Sequence, residues 1–164
     1  MKIVVFLIAL ALSLGLVACG GDDDGGGGGS SGQAAEREPL SESDYIRQLN
    51  RAQTDFASEA RALDLSSPSS PTDFQGSLDE LVGSIGTLIG ELEGLEPPDA
   101  VTAQHDELVS SLQRYRALIR KRKDALGSSD QGKVTDAAQR IATGSNDFSS
   151  SFDATIDQIN QRLN

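Results

Sequence analysis

The chain has 164 residues, which is enough for one domain and too few for two of ordinary size. Only 4% of the residues are aromatic and none is tryptophan, so a core has to be built from aliphatic side chains, which suits helices better than a β-sandwich. The net charge is −11. Because an acidic surface repels phosphates, we expect neither nucleic acid nor an anionic lipid surface as a general partner.

The first residues of the chain have the pattern of a secretory signal. Lys2 supplies a positive charge, and the apolar run over residues 3–17 is shorter than the ~20 residues that a membrane-spanning helix needs. The run ends in Leu16-Val17-Ala18-Cys19, and Cys19 is the only cysteine of the chain. A lone cysteine in an exported protein has no internal disulfide partner, so its thiol needs another explanation.

Leu16-Val17-Ala18-Cys19 resembles the lipobox of bacterial lipoproteins. The resemblance implies that residues 1–18 are removed as a signal peptide and that the Cys19 thiol receives a lipid with palmitate-like chains. It also implies attachment to the extracytoplasmic face of the cell membrane, or to the outer membrane in an organism that has one. The alternatives are an ordinary secretory signal and an uncleaved anchor, with Cys19 incidental in both.

Residues 19–40 form a predicted lipid-anchored linker that is rich in glycine, serine and aspartate. These residues offer little apolar surface to bury, so they cannot offset the entropy cost of becoming ordered. We expect a disordered spacer that holds the following domain near the membrane without fixing its orientation.

From residue 41 onward, apolar residues recur every three or four positions, in four segments that begin at Ile46, Leu78, Val101 and Val134. This spacing predicts four amphipathic helices, each burying one face. Short connections between helices favour antiparallel neighbours, so we predict an all-α fold over 41–164, an up-down-up-down four-helix bundle that is monomeric.

Turn and capping residues fall between the four segments. Ser70 followed by Pro71 is typical of a helix start, and Pro97-Pro98 separates the second segment from the third. Gly127 is placed to end the third helix, and Ser128 with Gln131 resembles a capping box for the fourth.

The overall arrangement of the sequence and the stretch from Pro97 to His105 also resemble small uncharacterised helical lipoproteins of high-GC bacteria. This likeness implies no activity.

Three features of the helical segments are candidates for function. His105, the single histidine, lies on the apolar stripe of the third helix and is either a metal ligand, a proton-responsive group or a boundary residue hydrogen-bonded to a neighbour near the end of the bundle. Glycines recur every four residues on one face of the second helix and predict either a ligand groove or close packing of a neighbour: Gly86, Gly90 and Gly94. Basic residues cluster near the end of the third helix and form either a solvated helix end or a surface for an anionic envelope polymer or protein: Arg114, Arg116, Arg120, Lys121, Arg122 and Lys123.

No nucleophile with a nearby base, phosphate loop or zinc spacing is evident in the sequence. We therefore expect no enzyme and no cofactor. The sequence predicts a membrane-anchored cell-envelope lipoprotein whose helical module binds or supports another envelope component. The alternative is a carrier of a small ligand or metal that uses the bundle interior or the glycine face.

Overall fold

The structure, a computed structural model, describes residues 38–63, 65 and 70–163. These residues form four α-helices and two short 3-10 helices, with none in a β-strand, so the all-α prediction is confirmed for this part of the chain. The α-helices are α1 (Glu42–Ala62), α2 (Pro71–Glu93), α3 (Thr102–Arg122) and α4 (Gln131–Leu163), and the 3-10 helices are Asp99–Val101 and Lys123–Gly127. The predicted signal peptide, Cys19 and residues 20–37 of the predicted linker lie outside the described residues.

Helices α1 and α2 begin at serines that satisfy free backbone amides of the first turn. The Ser41 hydroxyl accepts a hydrogen bond from the Asp44 amide at 3.2 Å, and the Ser70 hydroxyl accepts one from the Asp73 amide at 3.1 Å. Pro71 occupies the first position of α2, where its missing N–H costs nothing. The start of α2 is therefore where the sequence predicts it.

The capping box predicted for the start of α4 is wrong. Asp130 caps this helix, because its Oδ1 atom accepts hydrogen bonds from the amides of Gly132 at 2.9 Å and Lys133 at 3.3 Å. The Ser128 hydroxyl instead accepts from the Asp130 amide at 3.1 Å and so positions the capping residue.

The end of α3 continues into the 3-10 helix Lys123–Gly127, whose last residue is the glycine predicted to end this helical segment. The Gln75 carboxamide of α2 donates to the Lys123 carbonyl at 2.9 Å, which satisfies one of the acceptors left free at the end of α3. A Cβ atom at Gly127 would lie 2.9 Å from the same carboxamide. Glycine at this position therefore permits the close approach of α2 to the end of α3.

The core is a continuous cluster of mainly aliphatic side chains from all four helices. Burial of one such side chain stabilises the fold by roughly 1.5–3 kcal/mol. Nine of the described leucine and isoleucine residues are no more than 2% exposed: Leu49, Leu78, Ile85, Leu88, Leu92, Leu108, Leu112, Ile119 and Ile159. The core is thus made of the residue types that the composition predicts.

Backbone contacts between helices follow chain order, with α1 against α2, α2 against α3, and α3 against α4. Polar contacts mark both ends of the α2–α3 seam. Near the end of α2, the Gln113 carboxamide donates to the Glu93 carboxylate at 3.0 Å. Near its beginning, the Lys123 ammonium lies 2.6 Å from the Asp79 carboxylate.

Candidate functional site

His105 lies inside the core and contacts a tyrosine from α1. The Tyr45 hydroxyl lies 3.0 Å from His105 Nδ1, and the two rings meet edge to face with centroids 5.8 Å apart. Tyr45 is 0% exposed and His105 is 5% exposed. This contact joins residues 60 positions apart in the chain and ties α1 to α3.

The protonation of this pair follows from its burial. Burial raises the pKa of Tyr45 to about 12, so its hydroxyl keeps its proton. Burial also lowers the pKa of His105, although Asp106, Glu96 and a hydrogen bond with the Leu92 backbone act in the opposite direction. The ring is therefore neutral at pH 7, and its Nδ1 lone pair can accept the tyrosine proton.

This geometry favours the interpretation of His105 as a hydrogen-bonded structural residue, although it lies in the core rather than at its boundary. A metal would have to displace the Tyr45 hydroxyl to reach Nδ1. Within residues 38–63, 65 and 70–163, no group of three or more histidine, cysteine, aspartate or glutamate side chains is arranged to hold a metal ion.

A groove lies beside His105, where the end of α2 and the first turns of α3 meet. Its volume is about 550 Å³, it opens to solvent, and half-buried apolar side chains from Leu95, Pro97 and Val109 line it. Four exposed acidic residues also line it: Glu93, Glu96, Asp99 and Asp106. No lysine or arginine is among the described residues of this lining, and we call it the acidic groove.

The six basic residues near the end of α3 do not form one patch. At successive positions along a helix they point in different directions, and four of them contact groups of the same chain. Arg114 pairs with Glu107 at 2.6 Å, and Arg122 pairs with Asp136 at 3.4 Å.

Two of the six bind to α2. Lys123 pairs with Asp79, and the Arg116 Nε donates to the Val82 carbonyl at 3.1 Å. Arg120 and Lys121 are exposed, and no ion pair to another described residue involves either of them. Neighbouring carboxylates therefore compensate three of the six basic charges, those of Arg114, Arg122 and Lys123.

The three candidate glycines have three different surroundings. A Cβ atom at Gly86 would lie 2.8 Å from the Arg116 guanidinium, which crosses the bare backbone there. Gly90 is exposed with open space around its Cα, and Gly94 follows the last residue of α2 as its C-cap. At Gly86 a neighbouring side chain thus fills the space that a ligand groove would require.

A second cavity, of about 250 Å³, lies between α3 and α4. The rings of Tyr115 and Phe148 stack beside it with centroids 4.5 Å apart, and the Tyr115 hydroxyl lies 2.6 Å from the Ser145 hydroxyl. A Cβ atom at Gly144 would overlap a methyl group of Leu118, so glycine permits the close contact of α3 with α4 here. This stack adds packing to the seam and holds no chemically reactive group.

Sequence reasoning missed both the Tyr45 partner of His105 and the acidic groove. The groove did leave a signal in the sequence, since Pro97-Pro98 separates two helices and acidic residues stand on both sides of it. The Tyr45–His105 contact left none, because two residues that meet only through the tertiary fold need not share a local pattern.

Comparisons with protein-family models, with curated proteins and with solved structures find no match to this chain. Among the described residues, no helix combines the length and the apolar character that crossing a bilayer requires.

Proposed function

We propose that this chain is a lipid-anchored protein of the cell envelope whose helical domain serves as a non-enzymatic binding or scaffolding module. The observation that carries the proposal is Leu16-Val17-Ala18-Cys19 at the end of an apolar run, with Cys19 as the only cysteine. Two or more acyl chains on this residue would hold the protein firmly at the extracytoplasmic face of a membrane.

The non-enzymatic part of the proposal rests on the state of the ionisable core residues. His105 is the residue best suited to general acid–base chemistry near neutral pH, and its Nδ1 is engaged by Tyr45. The acidic groove beside it presents carboxylates and apolar side chains, which suit binding. Between the two candidate surfaces we favour this groove, because three of the six basic residues are paired with carboxylates of the chain, whereas none of the four acidic residues of the groove forms an ion pair with another described residue.

We also propose that the four helices form an up-down-up-down bundle. Four contacts support this arrangement. The Leu40 amide, just before α1, donates to the Glu96 carbonyl, just after α2, at 2.9 Å. The start and end of α2 contact the end and middle of α3, respectively. The Arg162 guanidinium, near the end of α4, donates to the Ala100 carbonyl before α3 at 3.1 Å.

The anchor is tested by growing bacteria that express the full chain with radiolabelled palmitate. We expect the wild-type protein to carry label and to sediment with membranes. Cys19→Ala removes the thiol that would be acylated, so we expect this variant to lose the label.

A matched control is Ser13→Ala, which changes one residue of the apolar run and leaves the thiol in place. We expect this variant to be labelled like wild type. Equal labelling of wild type and Cys19→Ala would contradict the proposal.

A further inference from the structure

We propose that the acidic groove binds a cationic polypeptide segment that carries an apolar side chain between basic residues. This inference rests on the binding role proposed above and assigns it a surface and a class of partner. Its basis is the combination of an apolar lining, acidic residues and the absence of lysine and arginine from the described lining.

The shape of the groove suits a polypeptide segment. A volume of about 550 Å³ is within the range of roughly 300–1,000 Å³ that ligand sites occupy. The groove is open to solvent, so it does not enclose a ligand on all sides. The half-buried side chains of Leu95 and Val109 offer an apolar surface on which one side chain of an extended segment can pack.

The charges of the groove are of one sign. Glu96, Asp99 and Asp106 are exposed, and none of them forms an ion pair with another described residue. Glu93 accepts a hydrogen bond from the neutral carboxamide of Gln113 and keeps its negative charge. The neighbouring imidazole of His105 adds no positive charge at pH 7, because it is neutral in its buried position.

The acidic groove, near the start of α3, differs in charge from the surface at the end of α3. There, Lys123 pairs with Asp79 and Arg122 pairs with Asp136, so two of the basic charges are already compensated. Carboxylates that face solvent without an ion-pair partner attract lysine and arginine side chains of a partner protein. The net charge of −11 adds long-range attraction for the same partner and repels nucleic acid.

The test uses the full chain purified in a non-ionic detergent and a short fluorescent peptide of alternating lysine and leucine as the probe. Binding is followed by fluorescence anisotropy at about 0.15 M salt, where long-range attraction is largely screened. The groove variant carries Glu96→Gln, Asp99→Asn and Asp106→Asn. The control variant removes the same amount of charge from exposed residues elsewhere, through Glu59→Gln, Glu80→Gln and Asp157→Asn.

We expect the groove variant to bind the probe at least about tenfold more weakly than wild type, and the control variant to bind it within about twofold. A peptide with serine in place of leucine should bind more weakly than the probe, and one with glutamate in place of lysine should not bind. Equal weakening by the groove and control variants, or equal binding of the glutamate peptide, would overturn the inference.

A single substitution covers the case in which the groove variant does not fold. Glu96→Lys changes one exposed side chain between α2 and α3 and leaves the backbone carbonyl that accepts from Leu40 in place. We expect it to weaken probe binding more than Glu59→Lys, and equal effects would overturn the inference. Because these measurements do not depend on acylation, loss of probe binding in a protein that still incorporates palmitate separates a failure of the groove from a failure of the anchor.

Discussion

At the scale of single residues, the contact between Tyr45 and His105 is a polar interaction inside an aliphatic core. The two side chains satisfy each other, because the hydroxyl needs an acceptor and the neutral imidazole needs a donor at Nδ1. The same contact connects α1 to α3, which otherwise approach each other less closely than sequential helices do. Loss of either partner would leave a buried polar group without its hydrogen bond.

The lowered pKa of His105 predicts a pH dependence of stability. Its ordinary value is 6.5, and the folded value lies below it. The unfolded state therefore binds the proton more readily, so the stabilisation is complete above about pH 6.5 and decreases as the pH falls below that value. We expect the free energy of unfolding, measured by urea titration, to fall by at most about 1.4 kcal/mol per pH unit between pH 6.5 and the folded pKa.

His105 is the only histidine, so a substitution isolates its contribution. His105→Leu should flatten the pH dependence in this window, and a slope that persists in the variant would contradict the assignment. Tyr45→Phe removes only the hydroxyl and leaves Nδ1 unsatisfied, so it should lower the free energy of unfolding by about 1–3 kcal/mol at pH 7.5.

At the scale of elements, α2 shows how one residue type serves different purposes along a helix. Glycine in a helix interior is unfavourable by roughly 0.5–1 kcal/mol relative to alanine. At Gly86 that cost is offset by the Arg116 guanidinium, which crosses the helix there and donates to the Val82 carbonyl. At Gly90 no neighbouring group lies within 4 Å of the Cβ position.

These surroundings predict opposite outcomes for two equivalent substitutions. Gly90→Ala should raise the free energy of unfolding by about 0.5–1 kcal/mol, since the methyl group enters open space. The free energy of unfolding of Gly86→Ala should be about 1 kcal/mol lower than that of Gly90→Ala, because the Arg116 guanidinium must move and loses its hydrogen bond. Urea titrations of both variants measure the difference.

The Arg116→Met background provides the control, because it keeps an apolar stem and removes the guanidinium. In that background Gly86→Ala should stabilise the fold as much as Gly90→Ala does. If the gap between the two alanine variants persists in the absence of Arg116, the explanation is wrong.

The α-helices can be predicted from local sequence patterns, and the candidate site cannot. The start of α2 is predictable because Ser70 and Pro71 act on the turn that contains them. The start of α4 is harder to predict because Ser128 and Asp130 are both good caps, and only the structure shows that Asp130 caps the helix while the Ser128 hydroxyl accepts from the Asp130 amide. The acidic groove needs the end of α2 to meet α3, and this meeting is a property of the tertiary fold.

At the scale of the whole molecule, the folded domain includes residues just before α1. Leu40 packs against the core, its amide donates to the Glu96 carbonyl, and Ser41 caps α1. The cap alone contributes about 0.5–2 kcal/mol.

Truncation tests where the domain begins. A fragment of residues 38–164 should fold as a helical monomer by circular dichroism and sedimentation. A fragment of residues 42–164 should unfold at a lower urea concentration, with at least about 1 kcal/mol less stability, because it lacks the cap and the Leu40 hydrogen bond. A fragment of residues 39–164, which loses only the exposed Glu38, is the control and should match the longest one.

The hydrogen bond between Leu40 and Glu96 also decides how the domain bears mechanical load. If the protein is held at its N-terminus while a partner pulls on the body, tension enters at residue 40 and acts first on this single bond. Next in line is the start of α1, where the Tyr45–His105 contact is the polar connection to α3. Contacts loaded one after another yield at lower force than contacts loaded together, so we expect α1 to peel away under tension while α2, α3 and α4 stay packed.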